Sequence, residues 1–266
     1  ISGRKPGYPN DSGTIVAELD ATQCHDRFIP ALASYAASAT EGYRVYGLNL
    51  GDMTHSEYWY SKNYSFPQYI EAMKGADFPV FHVIGNHDYC EYDHSLTPAQ
   101  REAQMDSLHS YYRRAGFQVL DNAHVPIVRG GDTLYLAGVE NWGTGPFPAR
   151  GDLGKALEGI PADAFIVLLS HDPSHFERIV SRYPTFVDLT LSGHTHAMQL
   201  AFRLSKNRQW SPIQYRYPYW AGPYRENGRQ LYVNRGIGYH FFPARVGMRP
   251  EITCITLHRS EGSSEN

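Results

Sequence analysis

Short apolar runs rich in β-branched and aromatic residues punctuate the chain, at Thr14 to Leu19, Tyr43 to Leu50, Phe78 to Ile84, Phe165 to Leu169, Val187 to Leu191 and Gln230 to Asn234. Runs of this length bounded by Gly or Pro predict buried parallel strands. Segments with helical periodicity lie between them. Thr97-Pro98-Ala99-Gln100 supplies an N-cap, a Pro at N1 and a capping-box Gln; Met105, Leu108 and Tyr112 then recur on one face until Gly116. Asp172-Pro173 opens a second such segment, with Phe176, Ile179 and Val180 inward. A third starts near Asp26 and carries Ile29, Leu32 and Ala36 before Gly42. Strands alternating with helices predict an α/β layered sheet that gathers ligands at the carboxyl ends of its strands.

Four of the apolar runs end in polar motifs: Gly51-Asp52, Gly85-Asn86-His87-Asp88, Ser170-His171-Asp172 and Gly193-His194-Thr195-His196. Five residues in them are potential metal ligands. Cleaving a phosphate ester requires neutralised anionic oxygens and a hydroxide at neutral pH, which a pair of divalent ions ~3.5–4 Å apart supplies. Such a pair needs a bridging carboxylate. Asp52 fits, because the Gly before it lets the backbone approach closely. Asn86 offers a carbonyl oxygen and His171, His194 and His196 offer imidazole nitrogens, a mixed set that suits Mn, Fe or Zn better than Mg or Ca. On an extended segment, His194 and His196 point to the same side. Any one of these histidines alone reads as a polar residue at a strand end; the set reads as a dinuclear centre.

In this order the motifs resemble the signature of the calcineurin-like metallophosphoesterases, and the resemblance runs from about Thr14 to Leu257. Over the second half, Leu134 to Val139, Leu168 to Pro173 and Tyr232 to Gly238 resemble a bacterial branch that includes membrane-associated phosphodiesterases. The resemblance implies a four-layer α-β-β-α sandwich of two mixed sheets flanked by helices. It also implies that Asp52 bridges two metals, that Asn86, His171 and His194 complete one shell, and that His196 binds the other ion. His87 is then no ligand: it contacts the phosphate and assists the leaving group, with Asp88 orienting its ring. The family's first motif is Asp-x-His; here Asp20 occupies the ligand position but Thr22 stands where the His belongs. Gln23 resembles the Asp-x-Gln variant of some branches, displaced by one residue, while His25 or Cys24 reaches that metal only if the loop bends back. The expected reaction is one-step attack on phosphorus by a metal-bound hydroxide, most simply on a phosphodiester. Phosphomonoesters, nucleoside-diphosphate lipids and a degenerate, non-catalytic metal or phosphate binder stay open.

Composition narrows the remainder. With 266 residues, of which 42% are hydrophobic and 19% charged, the chain can bury a substantial core as a single domain over 1–259, leaving 260–266 as a disordered tail. A net charge of −3 without a long basic run gives no nucleic-acid signal. No apolar stretch reaches the ~20 residues of a bilayer span, so a soluble segment is expected, in the cytoplasm or at a membrane, with an anchor upstream of Ile1 left open. The expected partner is a small-molecule or lipid phosphoester. His55 and Asn141 either reach substrate or are ordinary loop polars. Cys90 reads as a small buried residue, and Gly236-Ile237-Gly238 as a turn near the sheet edge. The Tyr- and Trp-rich stretch Gln209 to Tyr224 reads as an inserted loop or hairpin. Trp142, Trp210, Tyr217, Tyr219 and Trp220 either pack on the sheet or form an apolar lip over the site, which would bring it to a membrane surface.

Overall fold

Alternation of side chains along the strands sets three cores between the layers, and a fourth gathers around Tyr217 and Trp220. The computed structural model describes residues 44, 46–52, 78–205, 209–238 and 244–257, together with the backbone of 15–20 and of 208. Within these, the strands are β1 (Ile15–Asp20), β2 (Gly47–Asn49), β3 (Val80–His82), β4 (Phe117–Val119), β5 (Ala123–Arg129), β6 (Asp132–Gly138) and β7 (Phe165–Leu169). They continue with β8 (Leu189–Ser192), β9 (Phe202–Ser205), β10 (Arg208–Trp210), β11 (Gly222–Glu226), β12 (Arg229–Val233) and β13 (Ile252–Leu257). The helices are α1 (Pro98–Arg114), α2 (Leu153–Leu157) and α3 (Ser174–Arg178).

Six strands form one sheet in the order β11-β12-β8-β7-β6-β5, parallel through its four central strands and antiparallel at both edges. A second sheet, β2-β3-β4, is wholly parallel, and β1 pairs antiparallel with β13. Between the sheets, Phe81, Val83 and Leu120 meet Leu136, Val167, Leu169 and Leu191. The alternate residues of the large sheet, Ala137, Ile166, Leu168, Leu231 and Val233, pack outward under Leu153 and Leu157 of α2 and Phe176 of α3. On the far side, Leu108 and Tyr112 of α1 cover Val80 and Phe117. Period-two strands with both faces apolar therefore produce four layers, α-β-β-α. Each fully buried aliphatic or Phe side chain contributes about 1.5–3 kcal/mol to holding them together.

Helix α1 forms as its end signals predict. The Thr97 hydroxyl accepts from the Gln100 backbone N–H, and the Gln100 side chain accepts from the Thr97 N–H at 2.8 Å. Gly116, at φ +80°, follows the last turn. The segment opened by Asp172-Pro173 is shorter than its pattern suggests: α3 breaks at Ile179 and resumes as a single 3-10 turn, Val180–Arg182, while Phe176 and Val180 stay buried. The helix expected from Asp26 and the tail 260–266 lie outside the described residues. Among the described residues, no helix is long and apolar enough to cross a membrane.

Candidate metal centre

β2 and β3 lie parallel in one sheet and β7 and β8 lie parallel in the other, so the loops carrying Asp52, Asn86, His171 and His194 all leave from carboxyl ends. The two sheets bring those ends together. Asp52 Oδ2 lies 2.9 Å from His171 Nε2, Asn86 Oδ1 lies 3.2 Å from the same nitrogen and 2.7 Å from His194 Nδ1, and the two imidazole nitrogens are 3.2 Å apart. Asp52, His171 and His194 thus have ligand atoms all within 4.8 Å of one another.

The backbone makes this approach possible at two glycines. Gly51 adopts φ +93° and Asp52 φ +51°, a sharp turn straight off β2. At Gly85, an added Cβ would sit 2.2 Å from Asp52 Oδ1, so only Gly allows the second loop to close over the first. Asp88 then clips them: its Oδ2 accepts from the backbone N–H groups of Gly85, at 2.9 Å, and of Asp52, at 3.0 Å. The N–H of His87 donates to Asp52 Oδ1 at 2.8 Å.

The outward atom of every converging side chain is already engaged. His171 Nδ1 faces the Leu50 carbonyl, an acceptor, and so carries the ring proton. Asn86 Nδ2 donates to the Tyr92 hydroxyl at 2.9 Å, which turns its Oδ1 inward. His194 Nε2 lies 2.7 Å from the Tyr217 hydroxyl and 3.5 Å from Asp172 Oδ2. What remains inward is two oxygens and two nitrogens with lone pairs, a donor set that fits a divalent transition ion, with the outer partners that fix ligand tautomers.

Electrostatics agree with a cation at this point. Burial by itself would lift the Asp52 carboxyl, but His171, with His87 and His194 behind it, holds it well below the usual carboxylate range. Burial opposes charge on His171; the Asp52 carboxylate more than reverses this and raises it to about 9. Without a cation, a proton on His171 therefore neutralises the carboxylate. His194 is pushed well below its ordinary value by burial and by neighbouring His171, so it stays neutral. Burial raises Asp172, whose Oδ1 accepts from the Ser174 N–H and hydroxyl.

The loop after β8 differs from the expectation. Rather than an extended His-x-His, it is a three-residue turn centred on His194 at φ +65°, closed by Thr195 N–H to the Gly193 carbonyl at 2.7 Å. Four consecutive residues, His196 to Gln199, then hold positive φ. Strain of this kind, costing about 1–3 kcal/mol per residue, persists where surrounding structure enforces it. It carries His196 to Gly236, where an added Cβ would lie 3.7 Å from His196 Nδ1. The turn at Gly236, φ +73°, follows β12, which is flanked by β11 and β8 and is not an edge strand. Asp20 is the last residue of β1, in register with Ile252. Gln23, Cys24, His25 and His55 lie outside the described residues.

Asn141 is fully buried and its Nδ2 donates to the Pro148 carbonyl at 2.6 Å, which braces its own loop. The Cys90 thiol, also buried, meets Gln104 Oε1 at 3.2 Å. The aromatic stretch divides. Tyr217 and Trp220 pack with Ala197, Ala201 and Met248 beneath the strained turn, and the Thr195 hydroxyl donates to the Trp220 carbonyl at 2.7 Å. Trp142 stacks on His175, whereas Tyr219 packs on Phe176 and Tyr224. Sequence reasoning missed the contacts of Tyr217 and Asp172 with His194. Asp172 carried a usable signal, an acidic residue beside a strand-end His; Tyr217, 23 residues further on in irregular chain, carried none.

An α-β-β-α sandwich with this donor set at its strand ends has the architecture of a metallophosphoesterase. The model of the calcineurin-like phosphoesterase family matches residues 28–198, and the chain belongs to that family. It is 31% identical over 224 residues to a Danio rerio protein named transmembrane protein with metallophosphoesterase domain, covering 79% of this chain and 45% of that one. It is 30% identical over 185 residues to the uncharacterized metallophosphoesterase YkuE of Bacillus subtilis, covering 68% and 57%. The chain spans about half the length of these relatives. A Thermus thermophilus sulfate thiohydrolase, SoxB in complex with glycerol, aligns with a TM-score of 0.48 and 15% identity over 87% of this chain and 42% of its own.

Proposed function

We propose that this chain is a metal-dependent phosphodiesterase with a dinuclear centre. The observation that carries the reading is the convergence of Asp52, Asn86, His171 and His194 with their outward atoms already bonded. Asn86, His171 and His194 would hold one ion and Asp52 would bridge to a second, held by His196 and Asp20; the mixed N/O set favours Mn, Fe or Zn. When bound, such ions neutralise phosphoryl oxygens and make hydroxide available at neutral pH.

The chain's own groups do the rest. The His87 backbone fixes Asp52 Oδ1, and its ring, 4.9 Å from that of Tyr92, is assigned to a phosphoryl oxygen and to protonating the departing oxygen. Asp88 has one oxygen committed to the two loop N–H groups, which leaves Oδ1 as the oxygen that would orient the His87 ring.

The test is hydrolysis of bis(p-nitrophenyl) phosphate with added Mn²⁺, run beside p-nitrophenyl phosphate and the Asp52→Asn variant. Diester turnover that requires both Mn²⁺ and Asp52 is expected. Turnover no greater than that of the variant would sink the proposal. The rival, a one-ion phosphate binder, draws on Thr22 at the first motif, and ion content separates the two: about two per chain against one.

A further inference from the structure

Past Gln199 the chain leaves the strained turn and, from Phe202, projects as the β9–β10 hairpin, which among the described residues is separate from every other sheet. Isolated two-stranded hairpins are marginal in water, and soluble chains seldom leave one apolar. This one is apolar. Phe202 and Leu204, on one face of β9, are 49% and 56% exposed, and Trp210 pairs with Phe202 across the hairpin with rings stacked at 6.0 Å. Tyr215, 79% exposed, accepts from the Trp210 indole N–H at 3.4 Å. Exposed Val246, bridged to Leu200, and exposed Met198 extend the patch to its base.

Charge on the same stretch is one-sided. Residues 197–225 contain five basic residues, Arg203, Lys206, Arg208, Arg216 and Arg225, and no Asp or Glu, in a chain whose net charge is −3. Arg203 and Arg208 sit within the hairpin strands beside the apolar residues.

We infer that the β9–β10 hairpin is a docking element for an anionic lipid bilayer surface. Phe, Leu and Trp enter the headgroup and acyl boundary, Tyr stays at the headgroup level, and each nearby Arg or Lys adds about 1 kcal/mol of attraction to an anionic surface. A single-stranded nucleic acid would use the basic and aromatic residues, but Leu204, Met198 and Val246 have no part in base stacking; a bilayer uses all of them. The inference does not depend on the reaction assigned to the metal centre, because its readout is binding.

The experiment is vesicle co-sedimentation of the full chain with phosphatidylcholine alone and with 30% phosphatidylglycerol, following Trp fluorescence. Binding to the anionic vesicles with a blue shift, weakened at least tenfold by Leu204→Ser with Phe202→Ser and by Arg203→Glu with Arg208→Glu, is expected. Phe202, Arg203 and Leu204 are exposed, and unchanged thermal unfolding of the variants verifies their fold. Absence of binding, or binding that the variants leave intact, would overturn the inference. Retention on poly(U) with none on vesicles would overturn it in favour of nucleic acid.

Discussion

The Tyr217 hydroxyl lies 2.7 Å from His194 Nε2, on the opposite side of the imidazole from the nitrogen that faces Asn86. It secures the ring that the strained turn presents, and it does so from a segment remote in sequence. Outer partners of ligand histidines are typically worth about 10–100-fold in metal affinity or activity. Tyr217→Phe, which keeps the ring packed against Ala197 and Met248, should therefore weaken Mn²⁺ binding within that range with little change in unfolding temperature. Calorimetric Mn²⁺ titration beside thermal unfolding checks this; unaltered affinity would reduce the contact to packing.

His87 and Asp88 are neighbours with separable duties. Substituting His87 keeps the backbone N–H that holds Asp52, so His87→Asn should retain its metal while turnover falls by about 10²–10⁴-fold, the usual worth of a general acid. Asp88→Ala should do the reverse first: two N–H groups at the ligand loops lose their acceptor, at about 1–3 kcal/mol each, and metal goes with them. Ion content measured on both variants distinguishes them. Metal lost from His87→Asn would place that side chain among the ligands.

Much of this was legible because the period-two pattern and the strand-end motifs are local. The capping box at Thr97 and the parallel runs ending at Leu50, Ile84, Leu169 and Leu191 follow from residues close in sequence, and each of Asp52, Asn86, His171 and His194 is marked by its place just past such a run. What was not legible depends on backbone excursions and long-range contacts. The turn at His194 breaks an extended reading of Gly193 to His196, because the chain must swing back over Ala197 to seat Trp220 and Tyr217. Nor could a sequence pattern distinguish Tyr217 and Trp220, which turn inward, from Tyr215, which stays in solvent.

Gly85 tests how tightly the centre is built. An added methyl would lie 2.2 Å from Asp52 Oδ1 and 2.5 Å from Asp52 N, against backbone and a ligand rather than a flexible side chain. Gly85→Ala should lose most of its bound metal and activity and cost about 1–3 kcal/mol of stability, the range for overpacking a closed site. Denaturant unfolding with ion analysis measures both; a variant that binds Mn²⁺ normally would mean that the two loops separate more easily than their hydrogen bonds imply.

The Asp52–His171 pair makes metal-free stability depend on pH in a defined sense. His171 is raised from 6.5 to about 9, so its contribution is full below pH 6.5 and is lost as pH rises through 9. Asp52 is depressed, so its contribution is present above its ordinary 3.8 and is lost only as pH falls well below that. Chelated protein should thus lose stability between pH 6.5 and 9, and His171→Gln should lose none from this source. A bound cation takes the place of the His171 proton, so Mn²⁺ affinity should climb by up to about tenfold per pH unit over pH 7–9, and the loaded protein should be level across that range. Unfolding temperatures of the chelated and loaded protein and of His171→Gln, taken from pH 6 to 9.5, decide it. A chelated wild type that tracks the variant at every pH would mean that the proton does not stand in for the metal.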